Sequence, residues 1–124
     1  MKLRSLIVDD SETFLASACR LLESQGVEIV GTATSGTEAL DLAAALSPDL
    51  ALVDVELGEE DGLALAGELR SRSPATRVVL ISTYGSEEMR DLISKSSAVG
   101  FLPKNRLSAD AVRALLDGDQ RDAR

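Results

Sequence analysis

Two kinds of hydrophobic segment alternate along this chain. Short continuous apolar runs, bounded by polar or turn residues, give way to longer stretches in which apolar positions recur every third or fourth residue. The first kind marks strands buried on both faces, and the second marks amphipathic helices. Strands are expected over residues 3–8, 27–33, 50–53, 78–81 and 99–102. The first helix is expected over residues 11–24, with Phe14, Leu15, Ala18, Leu21 and Leu22 as its apolar stripe and Gly26 closing it. Ser35-Gly36-Thr37-Glu38 has the capping-box pattern, so a second helix follows, burying Ala39, Leu40, Ala43 and Leu46 and stopped by Pro48. Residues 57–62 read as a glycine-bearing acidic loop, and further helices are expected over 63–71, 86–97 and 108–116. The fourth helix has Met89, Leu92 and Ile93 as apolar members, and Gly118 ends the fifth.

This alternation is (βα)5. Fully apolar strands need helices on both sides, and right-handed crossovers then produce a doubly wound parallel sheet. At 124 residues the chain is large enough for a core of its own, in one domain over residues 1–117 with residues 118–124 as a polar tail or linker stub. No repeat or low-complexity tract interrupts it.

Composition narrows the chemistry. A formal charge of −8 spread along the chain opposes binding to a phosphate backbone, so direct nucleic-acid reading is not expected. Histidine and tryptophan are absent and the aromatic residues are Phe14, Tyr84 and Phe101, which removes histidine metal sites, histidine bases and stacking platforms. Cys19 stands alone, and the apolar stretch after Lys2 and Arg4 runs only from Leu6 to Val8. No export signal or membrane span is expected, and the simplest location is the cytoplasm.

The polar residues that end the apolar runs carry the chemistry. Asp9 and Asp10 follow the first strand, Asp54 the third, Ser82 and Thr83 the fourth, and Lys104 the fifth. In an open parallel sheet the ligand crevice lies outside the carboxyl ends of the strands, so these groups converge. One aspartate there would merely cap a helix. Two adjacent aspartates repel unless a cation or proton intervenes, and hard cations such as Mg2+ choose carboxylate oxygens. Asp54 begins an acidic loop that returns to a glycine at Gly62, and a carboxylate there can act as a nucleophile toward a phosphoryl group. Lys104 suits an ion pair with Asp54 and later with phosphoryl oxygens. A hydroxyl from Ser82 or Thr83 can hydrogen-bond the same oxygens.

The set Asp9-Asp10, Asp54 with its Gly62 loop, Ser82-Thr83 and Phe101-Leu102-Pro103-Lys104, in this order and spacing, resembles the receiver domain of bacterial two-component response regulators from Leu3 to about Leu116. The resemblance implies a flavodoxin-like fold with strand order 2-1-3-4-5. It also implies that Asp54 is the phospho-acceptor, and that Asp10, Asp54 and the backbone carbonyl of Glu56 bind Mg2+ while Asp9 assists through water. Lys104 would pair with the phosphate, Ser82 would move toward it with Thr83 as its rival, and Phe101 would be the aromatic switch. A sensor histidine kinase would be the donor. The face of the fourth helix, fifth strand and fifth helix would meet a second copy or a downstream protein.

This chain departs from the family pattern at several points. Gly58 stands where a proline is usual, Ser82 is followed by Thr83 rather than alanine, and Pro103 precedes Lys104 while Asn105 follows it. Glu56 and Tyr84 occupy the variable positions that flank the path of the hydrolytic water. Two other readings use the same residues. One is a receiver-like module that works without phosphate. The other is a haloacid dehalogenase-type phosphatase, whose second acid would fall at Ser11.

Overall fold

The computed structural model describes residues 3–83, 91 and 93–118. Five strands form one parallel sheet: β1 (Arg4–Val8), β2 (Glu28–Ala33), β3 (Leu50–Asp54), β4 (Arg77–Ser82) and β5 (Gly100–Pro103). Numbered within this sheet, their order is β2-β1-β3-β4-β5, as the family resemblance implied. Four α-helices are described: α1 (Glu12–Ser24), α2 (Gly36–Leu46), α3 (Gly62–Arg72) and α4 (Ala109–Asp117). Of the helix expected over residues 86–97, positions 91, 93 and 94 are helical; residues 86–90 and 92 lie outside the described ones, as do residues 119–124, on which most of the expected tail falls.

Side-chain alternation divides the core in two, because successive strand residues point to opposite faces. Leu6, Val8, Ala51, Val53, Val78 and Leu80 face α2 and α3, which contribute Ala39, Ala43, Leu65, Ala66 and Leu69. Ile7, Leu50, Leu52, Val79 and Ile81 face α1 and α4, which contribute Leu15, Ala18, Leu22, Val112 and Leu116. The middle of each central strand, Leu6–Val8, Leu50–Val53 and Val78–Ile81, is therefore apolar on both faces, which is what made them legible as short runs.

Helix ends follow their side chains. Ser11, Ser35, Asp61 and Ser108 cap the four helices, each accepting from a backbone N–H of the first turn. Gly26 follows α1 at φ +92, as its place after the helix predicted. The capping box at α2 closes differently from expectation. Glu38 Oε1 accepts from Thr34 N at 2.7 Å rather than from the N-cap residue Ser35, so the carboxylate reaches one residue further back. Leu21 belongs to the expected α1 stripe, yet it is 39% exposed, because Leu15, Ala18 and Leu22 already fill the contact with the sheet. The acidic loop is more ordered than its composition suggested. Glu56–Leu57 and Glu60–Asp61 pair antiparallel around a turn in which Gly58 has φ +61.

Candidate functional site

The sheet delivers the predicted polar residues to one edge. Asp9 leaves β1 fully buried, and its Oδ1 accepts from Ser11 N at 2.8 Å, which ties it to the first turn of α1. Asp54 is the last residue of β3 and 5% exposed, and its Oδ1 accepts from Glu56 N at 3.1 Å. Lys104 opens a single 3-10 turn (Lys104–Arg106) directly after β5. Its Nζ lies 2.5 Å from Asp9 Oδ2 and 3.3 Å from Asp54 Oδ2. The sequence pointed to Asp54 as the partner of Lys104; the shorter contact is to Asp9. That ammonium is also 4.4 Å from the centre of the Phe14 ring.

Asp10 is exposed at the rim, and one carboxylate oxygen from each of Asp9, Asp10 and Asp54 falls within 4.8 Å of the others. Asp9 Oδ2 accepts no hydrogen bond, and the Lys104 ammonium beside it is an ionic neighbour. Three convergent acceptor-only groups, two of them buried, suit a hard divalent cation, which takes oxygen ligands and keeps waters. The crevice above them holds about 360 Å³ and is lined by Asp10, Asp54, Glu56, Ser82, Thr83 and Lys104. A larger hollow of about 480 Å³ between α2 and α3 contains none of the predicted site residues.

Burial and charge set the protonation tendencies. Burial, with the nearby Asp9 charge, pushes the Asp54 carboxyl above its ordinary value, against the pull of the Glu56 N–H and Lys104. Burial alone would push the Lys104 ammonium down. Its close ion pair with Asp9 and the charge of Asp54 outweigh that and raise it.

Ser82 and Thr83 both line the crevice, but Ser82 is 2% exposed at the end of β4 while Thr83 is exposed. Phe101 lies on β5 beside Leu80 and packs, half-buried, on the α2–α3 side of the core. The described residues contain no cis peptide bond, so the Lys104–Asn105 bond is trans. Tyr84, singled out in the sequence, lies outside the described residues.

The loop under the crevice is tightly built. Gly62 N donates to Val55 O at 2.9 Å, and a Cβ on Gly62 would collide with the Asp54 carbonyl oxygen. Gly58 adopts a φ of +61 that proline, held near −65°, cannot reach, so the departure from the usual proline goes with this turn. Ser11, where a phosphatase of the dehalogenase type carries its second acid, offers its hydroxyl to Phe14 N as the N-cap of α1. Two contributors escaped the sequence reading. Glu60 binds the first turn of α2, accepting from Gly36 N at 3.0 and 3.3 Å. Phe14 was read as a core residue, although its place four residues after Asp10 puts it in the first turn of a helix starting at the crevice.

Comparison with known proteins gives a consistent picture. The family model described as the response regulator receiver domain matches residues 5–116. The chain is 36% identical over 117 residues to the "Probable transcriptional regulatory protein NarL" of Mycobacterium tuberculosis, covering 94% of this chain and 54% of that protein. It is 39% identical over 108 residues to a protein-glutamate methylesterase/protein-glutamine glutaminase of Alkalilimnicola ehrlichii, covering 84% of this chain and 27% of that one. The chain thus spans about half or less of these relatives. Among solved structures, the receiver domain of NarL from Mycobacterium tuberculosis superposes with a TM-score of 0.81 at 36% identity over 94% of both chains. A response regulator from Burkholderia pseudomallei, solved with a phosphorylated aspartic acid, calcium ion and citrate, superposes with a TM-score of 0.82 at 28% identity, covering 99% of this chain and 71% of that one.

Proposed function

This chain belongs to the response regulator receiver domain family, and from that premise we propose that it is a phosphorylation-operated signalling switch with Asp54 as the phospho-acceptor and a sensor histidine kinase as donor. The observation that carries this reading is the Lys104 ammonium bridging Asp9 and Asp54 beside an acidic crevice open to solvent. A buried ion pair is an expensive way to stabilise a fold, since desolvation offsets the attraction. A site that must receive an anion has a reason to keep one. The Burkholderia pseudomallei neighbour, with its phosphorylated aspartic acid, supports the same reading.

Asp10, Asp54 and the backbone carbonyl of Glu56 would hold Mg2+, with Asp9 assisting through water. The ion would supply charge neutralisation for the phosphoryl oxygens. A free Asp54 carboxylate oxygen attacks phosphorus in line; the new P–O bond forms as the bond to the donor's leaving group breaks, and that group departs with the bonding electron pair. Lys104 meets the developing negative charge on the transferred oxygens, and the Ser82 hydroxyl donates to one of them. The aspartyl phosphate adds about −1.5 to −2 charge to the crevice. Ser82 then moves inward, Phe101 follows on β5, and the face that includes β5 and α4 changes shape for a second copy or a downstream protein. The domain catalyses only its own modification. It reads no nucleic acid itself at a net charge of −8. Among the described residues no helix is long and apolar enough to cross a membrane, and a cytoplasmic site of action follows from the kinase partnership.

Intact mass after incubation with acetyl phosphate is the test. The expected result is a gain of one phosphoryl group that requires Mg2+ and is lost in Asp54→Asn. No gain from acetyl phosphate or from a phosphorylated histidine kinase would instead indicate an interaction module that works without phosphate.

A further inference from the structure

The Lys104 ammonium has three partners, and one carries no charge. Asp9 lies at 2.5 Å and Asp54 at 3.3 Å. The third is the face of Phe14, whose centre is 4.4 Å from Nζ. This is inside the roughly 6 Å over which a ring quadrupole attracts a cation. The Lys104 side chain is only 17% exposed, so little water competes for that contact.

The ring is held independently of the lysine. Phe14 N donates to the Ser11 hydroxyl at 3.2 Å, which fixes the residue in the first turn of α1. Its side chain packs against the core on the α1 side of the sheet. Ser11 N in turn donates to Asp9 Oδ1. Asp9, Ser11, Phe14 and Lys104 therefore form one closed circuit at the junction of β1 and α1.

We propose that Phe14 is a positioning residue for Lys104, its ring face keeping the ammonium in the crevice when a divalent cation occupies the carboxylates. The proposal rests on the reading of Asp54 as phospho-acceptor. A cation shared by Asp9, Asp10 and Asp54 takes up the negative charge that otherwise holds Lys104, and it repels the ammonium directly. A lysine released from its ion pairs is a strongly hydrated charge on a flexible stem, and water is its natural destination. The face of Phe14 is not an oxygen ligand, so a hard cation does not compete for it. The ring thus remains a partner for Lys104 when the acids are occupied. It also makes no ion pair that an incoming phosphoryl oxygen must displace.

Phe14→Leu keeps an apolar side chain at this position and removes the ring; Phe14→Tyr keeps the ring. The first readout is NMR of the full chain with labelled lysine. Lys2, Lys95 and Lys104 are its lysines, and Lys104→Arg assigns the relevant signal. With Mg2+ present, the Lys104 methylene next to nitrogen is expected to show a ring-current shift in the wild type and Phe14→Tyr, and to collapse to the free-lysine position in Phe14→Leu. The second readout is phosphorylation by acetyl phosphate at saturating Mg2+. Phe14→Leu is expected to be about tenfold slower, in line with a cation–π contact shielded from water, and Phe14→Tyr to stay within about twofold of the wild type. A free-lysine shift in the Mg2+-loaded wild type, an unchanged rate in Phe14→Leu, or equal slowing in both variants overturns the proposal. If the wild type accepts no phosphoryl group, the reading of Asp54 fails, while the lysine shift still decides for or against the ring contact.

Discussion

A methyl group at position 62 has nowhere to go. It would run into the Asp54 carbonyl oxygen and stand 2.9 Å from Val55 Cα, both backbone atoms that cannot rotate away. Gly62→Ala is therefore expected to cost about 1–3 kcal/mol, the range for overpacking a filled site. Urea unfolding measures this, and Mg2+ affinity should fall with it because the strain lands on Asp54. Asp54 itself gives a prediction of opposite sign. Burial raises its carboxyl above the ordinary value. A group with a raised folded-state pKa contributes stability that is present below its unfolded value and lost as pH rises through the folded one. Once ionised, Asp54 is thus a cost to the cation-free fold. Asp54→Asn should raise the thermal midpoint in the presence of a chelator and narrow its decline between acid and neutral pH; a lowered midpoint would mean that attraction to Lys104 dominates. Asp9, Asp10, Asp54 and Lys104 were legible because each breaks an apolar run where a strand must end. Phe14 was not, because a helical apolar stripe looks the same whether a ring meets the core or an ammonium.

At the scale of elements, the strands and caps were easier to read than the loop that joins β3 to α3. Its residues 56–61 carry four acids and no alternation, so nothing in the pattern marks an antiparallel pair. The pairing is held from outside by Glu60, whose carboxylate accepts from Gly36 N at the positive end of α2. This contact is a strap between the loop that carries Glu56 and a helix on one face of the sheet. A Cβ on Gly36 would lie 2.6 Å from Glu60 Oε1, so the helix start is small where the strap arrives. Glu60→Ala is expected to destabilise by about 1 kcal/mol, and Glu60→Gln by less, since an amide oxygen still accepts without the charge. The change should be local. Hydrogen exchange at the Gly36 amide should accelerate in Glu60→Ala while protection in β1 and β3 falls only by the global loss, and equal acceleration throughout would show that the strap has no separate role.

The molecule as a whole carries a charge of −8, and three of its acids share one crevice. The fold could be inferred because burial on both faces leaves continuous apolar runs in the central strands, and right-handed crossovers then leave few ways to order them. The convergence of the three acids and Lys104 could be inferred too, but not the distances among them, because separations between side chains from different strands depend on register and on the exact ends of each element. These two kinds of negative charge should respond differently to cations. Dispersed surface acids repel one another, and any salt relieves this by screening within about 8–10 Å at physiological ionic strength. The Asp9, Asp10 and Asp54 cluster instead binds one ion, which stabilises the fold by RT ln(1 + [L]/Kd), about 1.4 kcal/mol at ten times Kd. At constant ionic strength, replacing Na+ by Mg2+ should therefore raise the thermal midpoint of the wild type and saturate. Asp10→Asn removes a carboxylate that is exposed at the rim and distant from the core, so it should keep the response to NaCl and lose the saturating response to Mg2+. If Asp10→Asn and the wild type gain equally from Mg2+, the stabilisation comes from the surface charge of the whole domain, and the three-carboxylate crevice is not the place where the cation binds.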